Sequence, residues 1–302
     1  MDLQSKIILI SGPTASGKSG FAVNLAKKIN GEIINADSMQ VYKEVKILTA
    51  RPTIKDQKKI KHHLYGFVSV KKNFSTGDWL KLVSQKILDI KKRNKTPIIV
   101  GGTGLYFKAL TDGLVIIPNI PLKVRKKIRS LHQKIGPKNF FSRLIKLDPV
   151  AKNHINPSDT QRTIRAYEVI YYTKKSLFDW FKNTRSDYQK NHFYKIYIDF
   201  PRDELIARIK FRAEEMFKKK VISEVKKFIG LKVSKNKTSS KAIGIAEIKD
   251  YLNKKIEIDE VIEKISIKTR QYAKRQATWK RGHMLDWKHL KPMGLKKFLK
   301  KI

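Results

Sequence analysis

Residues 6–19 read KIILISGPTASGKS, a short apolar run that leads directly into a glycine-rich turn. Gly12, Gly17, Lys18 and Ser19 have the spacing of a phosphate-binding loop, and a helical pattern follows from Phe21. In such a loop the backbone N–H groups and the helix N-terminus face phosphate oxygens, and the lysine adds a positive charge. The motif predicts a bound phosphate chain, ATP being the default, and Mg²⁺ held by Ser19; the loop residues are Gly12, Pro13, Thr14, Ala15, Ser16, Gly17, Lys18 and Ser19.

Further apolar runs at residues 32–35, 97–100 and 196–199 read as strands, and residues 105–110 read as a helix. Continuous apolar strands that alternate with helices indicate a parallel sheet covered on both faces. From Pro121 to about residue 190, helical periods dominate instead. The sequence therefore predicts an α/β core domain made of residues 1–120 and 191–302, with an all-helical insertion domain at residues 121–190.

Composition limits the possible functions of these 302 residues. Hydrophobic residues make up 41%, too many for a disordered basic chain, and the absence of cysteine excludes disulfides and thiolate chemistry. No apolar run approaches the ~20 residues of a membrane span, and no signal peptide is recognisable. The net charge of +41 favours a polyanionic partner, although most of it is lysine that solubility alone explains. We expect a soluble cytoplasmic protein.

Asp37 follows the second strand and is expected beside the phosphate loop, because ligands of open α/β sheets bind at the carboxyl ends of the strands. Its carboxylate is interpreted as a magnesium ligand, as a general base, or as a helix N-cap. The third strand ends in GGTG at residues 101–104, where many nucleotide hydrolases have an acid. A hydroxyl at Thr103 suits an ester oxygen of a substrate better than it suits ATP hydrolysis.

Three groups of basic residues have helical spacing. Arg208 and Arg212 share a helix face, which predicts a phosphate clamp or, slightly favoured by spacing alone, a solvated face. Gln161, Arg162 and Arg165 cluster on one side of a helix in the insertion and are candidates for RNA contact. Near the C-terminus, helical spacing predicts a stripe of core residues made of Val261, Ile265, Tyr272, Gln276 and Trp279. The opposite side carries a basic stripe that suits phosphate contact, made of Arg270, Lys274 and Arg281.

Five motifs, in this order, resemble those of the bacterial tRNA dimethylallyltransferases, the isopentenyl-tRNA transferase family. They are GPTASGKS at 12–19, NADSMQVYK at 35–43, GGTGLYFKAL at 101–110, NPSDTQRTIRAYEV at 156–169 and TRQYAKRQATWKR at 269–281. The resemblance covers roughly residues 7–290 and implies a P-loop core like that of nucleotide kinases. It also implies transfer of a dimethylallyl group from dimethylallyl diphosphate, with Mg²⁺, to the exocyclic amine of the adenosine 3′ of the anticodon. Apart from the resemblance, we expect a monomer.

The same resemblance assigns roles to the residues that match the motifs. Thr14–Ser19 would hold the diphosphate with Arg212 and Arg208, Thr103 would contact its bridging oxygen, and Asp37 would take the proton of the adenine amine. Ser38, Met39 and Gln40 would line the wall that receives the extruded base. The anticodon stem-loop would be bound from the insertion and the C-terminal segment by Arg125, Gln161, Arg162, Thr163, Ile164, Arg165, Lys241, Gly244, Arg270, Lys274 and Arg281.

One segment departs from the family pattern. Lys241 and Gly244 are retained, but Ile245 and Ala246 stand where the family has an aromatic and a basic residue, which removes two expected RNA contacts. Two other functions also fit the phosphate loop. A small-molecule or polynucleotide kinase would use it with ATP, and a non-catalytic RNA-binding protein would use it as a switch.

Overall fold

The structure is a computed structural model that describes residues 3–302, except for the side chains of Lys55 and Lys59. It divides into two compact units. The first comprises the described residues up to Thr111 together with Tyr188–Ile302, and the second is Asp112–Asp187. The second unit thus starts nine residues before the 121 expected from the sequence, because Ile117 and Ile120 pack in its own hydrophobic core.

A six-stranded parallel sheet forms the centre of the first unit, as predicted for an α/β protein. The strand order is β3-β2-β4-β1-β5-β6. Two of the strands, β3 and β6, were not predicted, because runs of two and three residues rich in His and Lys carry no apolar signal. The strands are β1 (Ile7–Ser11), β2 (Gly31–Asn35), β3 (His62–His63), β4 (Thr96–Gly101), β5 (Phe193–Ile198) and β6 (Lys288–Leu290).

Helices connect and cover these strands. Within the described residues, those before the insertion are α1 (Lys18–Lys28), α2 (Ile54–Lys59), α3 (Thr76–Lys91) and α4 (Gly104–Asp112). The second unit contributes α5 (Leu122–Leu147), α6 (Thr160–Thr173) and α7 (Leu177–Phe181). The chain then continues through α8 (Arg202–Lys218), α9 (Val221–Gly230), α10 (Ile245–Leu252), α11 (Ile258–His283) and α12 (Pro292–Lys300).

Both faces of the sheet are buried, which explains why its strands are continuous apolar runs. Leu9 of β1 faces the side covered by α3 and α4, whereas Ile8 and Ile10 face the side covered by α1. Helices α8 to α11 form a third cluster with the loop around Val41–Leu48. The carboxyl ends of β1, β2 and β4 are therefore bordered by helices on more than one side.

The second unit is all helical. Helix α5 is interrupted at Gly136, where φ is 77° and Pro137 follows. Its buried side chains Ile128, Phe140 and Leu144 pack against α6 around Ala166. This unit therefore has a hydrophobic core of its own. Within residues 3–302, no helix combines the length and the apolar character that crossing a membrane requires.

Candidate active site

The phosphate-loop motif connects β1 to α1 at the carboxyl edge of the sheet. Gly17 caps the helix with φ of 83°, a left-handed conformation that favours glycine. Ala15 is also left-handed, with φ of 64°. Ser16 is buried, and its Oγ has no hydrogen-bond partner within the described part of the chain. The loop thus surrounds a helix N-terminus, where N–H groups and the helix dipole favour an anion.

Arg208 and Arg212 of α8 both contact this loop. Arg208 donates from Nε to the carbonyl oxygen of Ala15 at 2.8 Å, and Arg212 donates from Nη1 to Thr14 Oγ1 at 3.0 Å. Burial lowers the pKa of Arg212, which Asp37 partly opposes. The arginine pair thus borders the loop, with Arg208 exposed and Arg212 partly buried. A planar guanidinium at this position suits bidentate contact with phosphate oxygens.

Lys18 of the loop interacts electrostatically with Asp37. Its Nζ donates to the carbonyl oxygen of Pro13 at 3.0 Å. Burial lowers the pKa of Lys18 to about 8, against the opposing effect of Asp37, while Arg212 lowers it further. An anion between these cations would restore a normal pKa, because it stabilises the ammonium form.

Asp37 follows β2 and is held by its own turn. Its Oδ1 accepts from the N–H groups of Met39 at 2.9 Å and Gln40 at 3.4 Å. Asn35 fixes the backbone of the turn, since its Oδ1 accepts from Asp37 N at 2.9 Å and its Nδ2 donates to the carbonyl oxygen of Asp37 at 3.0 Å. The Asp37 carboxylate therefore accepts N–H groups of the two following turn residues as an N-cap would, but a turn follows it and not a helix. The second carboxylate oxygen remains available to a ligand.

The GGTG segment brings β4 close to its neighbours. Thr103 Oγ1 accepts from Ser38 N at 3.0 Å. A Cβ on Gly101 would lie 2.1 Å from the backbone of Ala36, and one on Gly104 would lie 2.2 Å from the Trp279 indole. Only glycine permits this approach, so the pattern that suggested a substrate contact also has a packing role.

One cavity of about 470 Å³ joins these elements. Asp37 and Lys18 line it, while Thr103 lies behind Ser38 and is not among the lining residues. Predicted site residues that line the cavity are Thr14, Ala15, Gly17, Lys18, Ser19, Asp37, Ser38, Met39, Gln40, Arg208, Arg212 and Lys241. The other loop residues, Gly12, Pro13 and Ser16, are buried and do not line the cavity.

Sequence reasoning missed several lining residues. Tyr65 and the Leu48–Ala50 turn come from a segment that was not interpreted, and Tyr272 was assigned to an apolar core stripe. Burial raises the pKa of both tyrosines, so both phenols stay neutral. The signal for Tyr272 was its position in the TRQYAKRQATWKR motif, four residues from Gln276.

Gln276 of α11 fastens the phosphate loop to the end of β4. Its Oε1 accepts from Thr14 N at 2.8 Å, and its Nε2 donates to the carbonyl oxygen of Gly102 at 2.9 Å. This side chain was predicted as part of the core stripe with Trp279. Instead it satisfies one backbone donor of the loop and one backbone acceptor beside Thr103, which fixes the distance between the two motifs.

Comparison with known proteins relates this geometry to a family. The sequence model of the IPP transferases matches residues 40–283. The chain belongs to the IPP transferase family. It is 57% identical over 302 residues to the tRNA dimethylallyltransferase of Pelagibacter ubique, covering 100% of this chain and 96% of that protein. The tRNA dimethylallyltransferase of Agrobacterium fabrum is 41% identical over 294 residues, covering 97% of this chain and 99% of that protein.

Solved structures of the IPP transferase family share the fold. A eukaryotic dimethylallyltransferase acting on tRNA superposes with a TM-score of 0.83 at 28% identity, covering 95% of this chain and 73% of that one. The tRNA isopentenylpyrophosphate transferase of Bacillus halodurans superposes with a TM-score of 0.70 at 30% identity, covering 98% of this chain and 95% of that one. The family resemblance of the five motifs and the predicted fold class are therefore confirmed.

The residues predicted to bind RNA from the insertion differ in exposure. Gln161 and Arg162 are exposed, and Arg162 pairs with Asp159 at 3.4 Å. Arg165 is partly buried beside Glu168, and burial lowers its pKa.

Thr163 is buried with its hydroxyl donating to the carbonyl oxygen of Asp159, and Ile164 packs against the core. The side chains of Thr163 and Ile164 thus stabilise the helical unit. Arg125 is partly buried, and its Nε has no partner among the described residues.

The predicted RNA-binding residues of the first unit also divide by environment. Arg270 pairs with Glu263 at 3.1 Å, and Arg281 donates to Thr278 Oγ1 at 3.1 Å, while Lys274 is exposed on the same helix. Gly244 has φ of 106°, and a Cβ there would lie 2.4 Å from the Leu48 side chain. Glycine is therefore the residue that fits both this backbone conformation and this close contact.

Of the two residues that depart from the family pattern, Ile245 lies in the core and Ala246 lies at the surface. Ile245 is buried in the cluster of α8 to α11, and Ala246 is exposed. Only the Ala246 position is therefore free of packing constraints.

Proposed function

We propose that this protein transfers a dimethylallyl group from dimethylallyl diphosphate to the exocyclic amine of an adenosine in tRNA. The target is the adenosine 3′ of the anticodon in tRNAs that read codons beginning with U. One observation carries the proposal: Asp37 and the phosphate loop line the same cavity, with no acid at the end of β4. A base therefore stands beside a site for a diphosphate leaving group. A tRNA substrate makes the cytoplasm the expected compartment, and we propose a monomer as the active form.

The reaction needs a nucleophile, a leaving group and a proton acceptor. The adenine N6 attacks the C1 carbon of the dimethylallyl group, the bond between C1 and the diphosphate oxygen breaks, and the N6 proton passes to the Asp37 carboxylate. The diphosphate leaves with both bonding electrons, so its negative charge grows. We propose that Lys18, Arg208, Arg212 and the loop of residues Thr14–Ser19 bind that charge.

Thr103 is proposed to act on the bridging oxygen of the diphosphate. Its Oγ1 accepts from Ser38 N at 3.0 Å and donates to Ser38 Oγ at 3.4 Å, so its hydroxyl proton would turn from Ser38 to the diphosphate oxygen when the donor binds. Ser38 itself lines the cavity, so the threonine borders the site from behind it. A hydrogen bond from Thr103 would stabilise the leaving group as the C–O bond breaks.

The oxygen donors of this site fit Mg²⁺. Within residues 3–302 no cluster of three or more His, Cys, Asp or Glu side chains could hold a metal. Mg²⁺ does not need one, because it retains waters and binds substrate phosphates with one or two protein ligands. The Ser19 hydroxyl lines the cavity at the start of α1 and is the proposed protein ligand. When bound there, the ion would neutralise diphosphate charge.

The base must leave the anticodon stack to reach Asp37. We propose that Ser38, Met39 and Gln40 line the wall that receives it, since all three border the cavity. The stem-loop phosphates are proposed to contact polar and basic residues that are exposed or partly buried in each unit. These are Arg125, Gln161, Arg162, Arg165, Lys241, Arg270, Lys274 and Arg281, with Thr163, Ile164 and Gly244 supporting their backbone.

Donor competition tests this function against the kinase alternative. The protein should bind dimethylallyl diphosphate with Mg²⁺, and ATP should compete weakly. It should also release diphosphate only when unmodified tRNA is present. Tight ATP binding without affinity for dimethylallyl diphosphate would contradict the proposal and favour a kinase.

A further inference from the structure

Glu224 of α9 binds a turn that borders the cavity. Its two carboxylate oxygens accept from three consecutive N–H groups, those of Lys46, Ile47 and Leu48, at 2.8 to 3.0 Å. The turn closes at Ala50, which has φ of 47°. One side chain thus satisfies three consecutive backbone donors at the start of the turn.

The other end of this turn holds Gln40. The Nε2 of Gln40 donates to the carbonyl oxygens of Thr49 at 2.8 Å and Ala50 at 3.3 Å. Both acceptors are carbonyls, so the amide nitrogen must face them and Oε1 must face away. Gln40 lines the cavity, which makes its Oε1 a fixed acceptor at the wall.

We propose that Glu224 is a positioning residue for base recognition. Its carboxylate holds the turn of residues 46–50, whose carbonyls fix the Gln40 amide so that Oε1 accepts from the exocyclic N–H of adenine. The inference rests on the proposed function, because it assumes that this cavity receives the base. It assigns selectivity for adenine to a residue that does not touch the substrate.

The surroundings leave the turn little freedom to compensate. Leu48 lies beneath Gly244, where even a Cβ would come within 2.4 Å of its side chain. Thr49 Oγ1 donates back to the carbonyl oxygen of Val45 at 2.6 Å. Without Glu224, three N–H groups would lose their acceptor, and the turn would have to rearrange to find water. Gln40 would then lose its fixed orientation and its preference for a donor.

The test compares anticodon stem-loops that carry adenosine or purine riboside, which lacks the exocyclic amine, at the target position. The wild-type protein should bind the adenosine stem-loop about tenfold more tightly. Glu224→Ala should abolish this preference and lower kcat/KM for the adenosine stem-loop about tenfold, with KM for dimethylallyl diphosphate within about twofold of wild type. Glu224→Gln, which keeps the size, should also lose the preference.

Two controls separate positioning from stability. Glu44→Gln is the matched variant, since Glu44 accepts from the single N–H of Val70 at 3.0 Å and should leave the preference intact. In a Gln40→Ala background, Glu224→Ala should reduce kcat/KM no further. Additive losses, or an adenosine preference retained in both Glu224 variants, would overturn the inference. Absence of any prenylated product from the wild type would instead contradict the proposed function.

Discussion

Asp37 is the residue whose environment most directly implies a chemical role. Its Oδ1 is occupied by two backbone donors, while the carboxylate lines the cavity that contains Lys18. We predict that Asp37→Asn binds tRNA within about threefold of wild type but loses at least about 100-fold in kcat, because the amide cannot accept the amine proton. Single-turnover product formation and tRNA binding measure the two effects.

Asp199→Asn is the matched control for this prediction. Asp199 follows β5 at the same edge of the sheet, but it pairs with Lys280 at 3.3 Å and does not line the cavity. Its variant should keep turnover within about twofold. Normal turnover in Asp37→Asn would remove Asp37 as the base.

Lys18 makes donor binding depend on pH. Burial lowers its pKa to about 8, so the free protein carries an ammonium group below that pH and loses it above. Affinity for dimethylallyl diphosphate should therefore fall as pH rises through about 8, while ligand binding raises the pKa. Calorimetric titrations of wild type and Lys18→Met isolate the effect, because the ligand's own titration is common to both. Identical pH profiles for the two proteins would contradict it.

At the scale of elements, α11 is the element that holds the two substrate motifs together. Gln276 bridges the phosphate loop and Gly102, and Trp279 leaves no room for a Cβ at Gly104. We predict that Gly104→Ala lowers the free energy of unfolding by about 1–3 kcal/mol through this overlap. Chemical denaturation measures the change.

Gly282 of α11 gives the control, since a Cβ there meets nothing within 4 Å. Gly282→Ala should be neutral or raise the free energy of unfolding by up to about 1 kcal/mol, because alanine favours the helix. If Gly104→Ala lowers the free energy of unfolding no more than Gly282→Ala does, the indole yields to the added methyl group and the prediction is contradicted.

The sequence predicted the elements that have strong local signals. The apolar strands and the phosphate loop were recognisable because burial on both faces leaves continuous apolar runs at residues 7–10 of β1 and 97–100 of β4. Two edge strands were not predicted, since His62–His63 and Lys288–Leu290 are too short to show an apolar pattern in the sequence. Gln276 and Glu224 were misjudged or overlooked for a different reason: their partners lie more than 170 residues away in the chain.

For the whole molecule, the net charge of +41 is divided between structural pairs and available cations. Arg93 is engaged with the buried Glu32, whereas the Arg162 side chain remains 67% exposed despite its contact with Asp159. We predict that Arg162→Ala weakens tRNA binding and lowers the slope of log K against log salt by about 0.7–0.9, the loss of one phosphate contact. Titrations at several salt concentrations measure the slope.

Lys86→Ala is the control for this prediction. Lys86 also pairs with a neighbouring acid, Asp89 at 3.0 Å, but it lies on α3, outside the segments proposed to contact RNA. Its slope should equal that of wild type. An unchanged slope in Arg162→Ala would remove Arg162 from the RNA interface.

The central claim is that a diphosphate donor and an adenine base meet in one cavity, with Asp37 between them. The most direct measurement is nucleoside mass analysis of unmodified tRNA after incubation with the protein, dimethylallyl diphosphate and Mg²⁺. We predict prenylated adenosine at the single position 3′ of the anticodon, with one diphosphate released for each modified base. Folded protein that binds tRNA but yields no prenylated adenosine would contradict the claim.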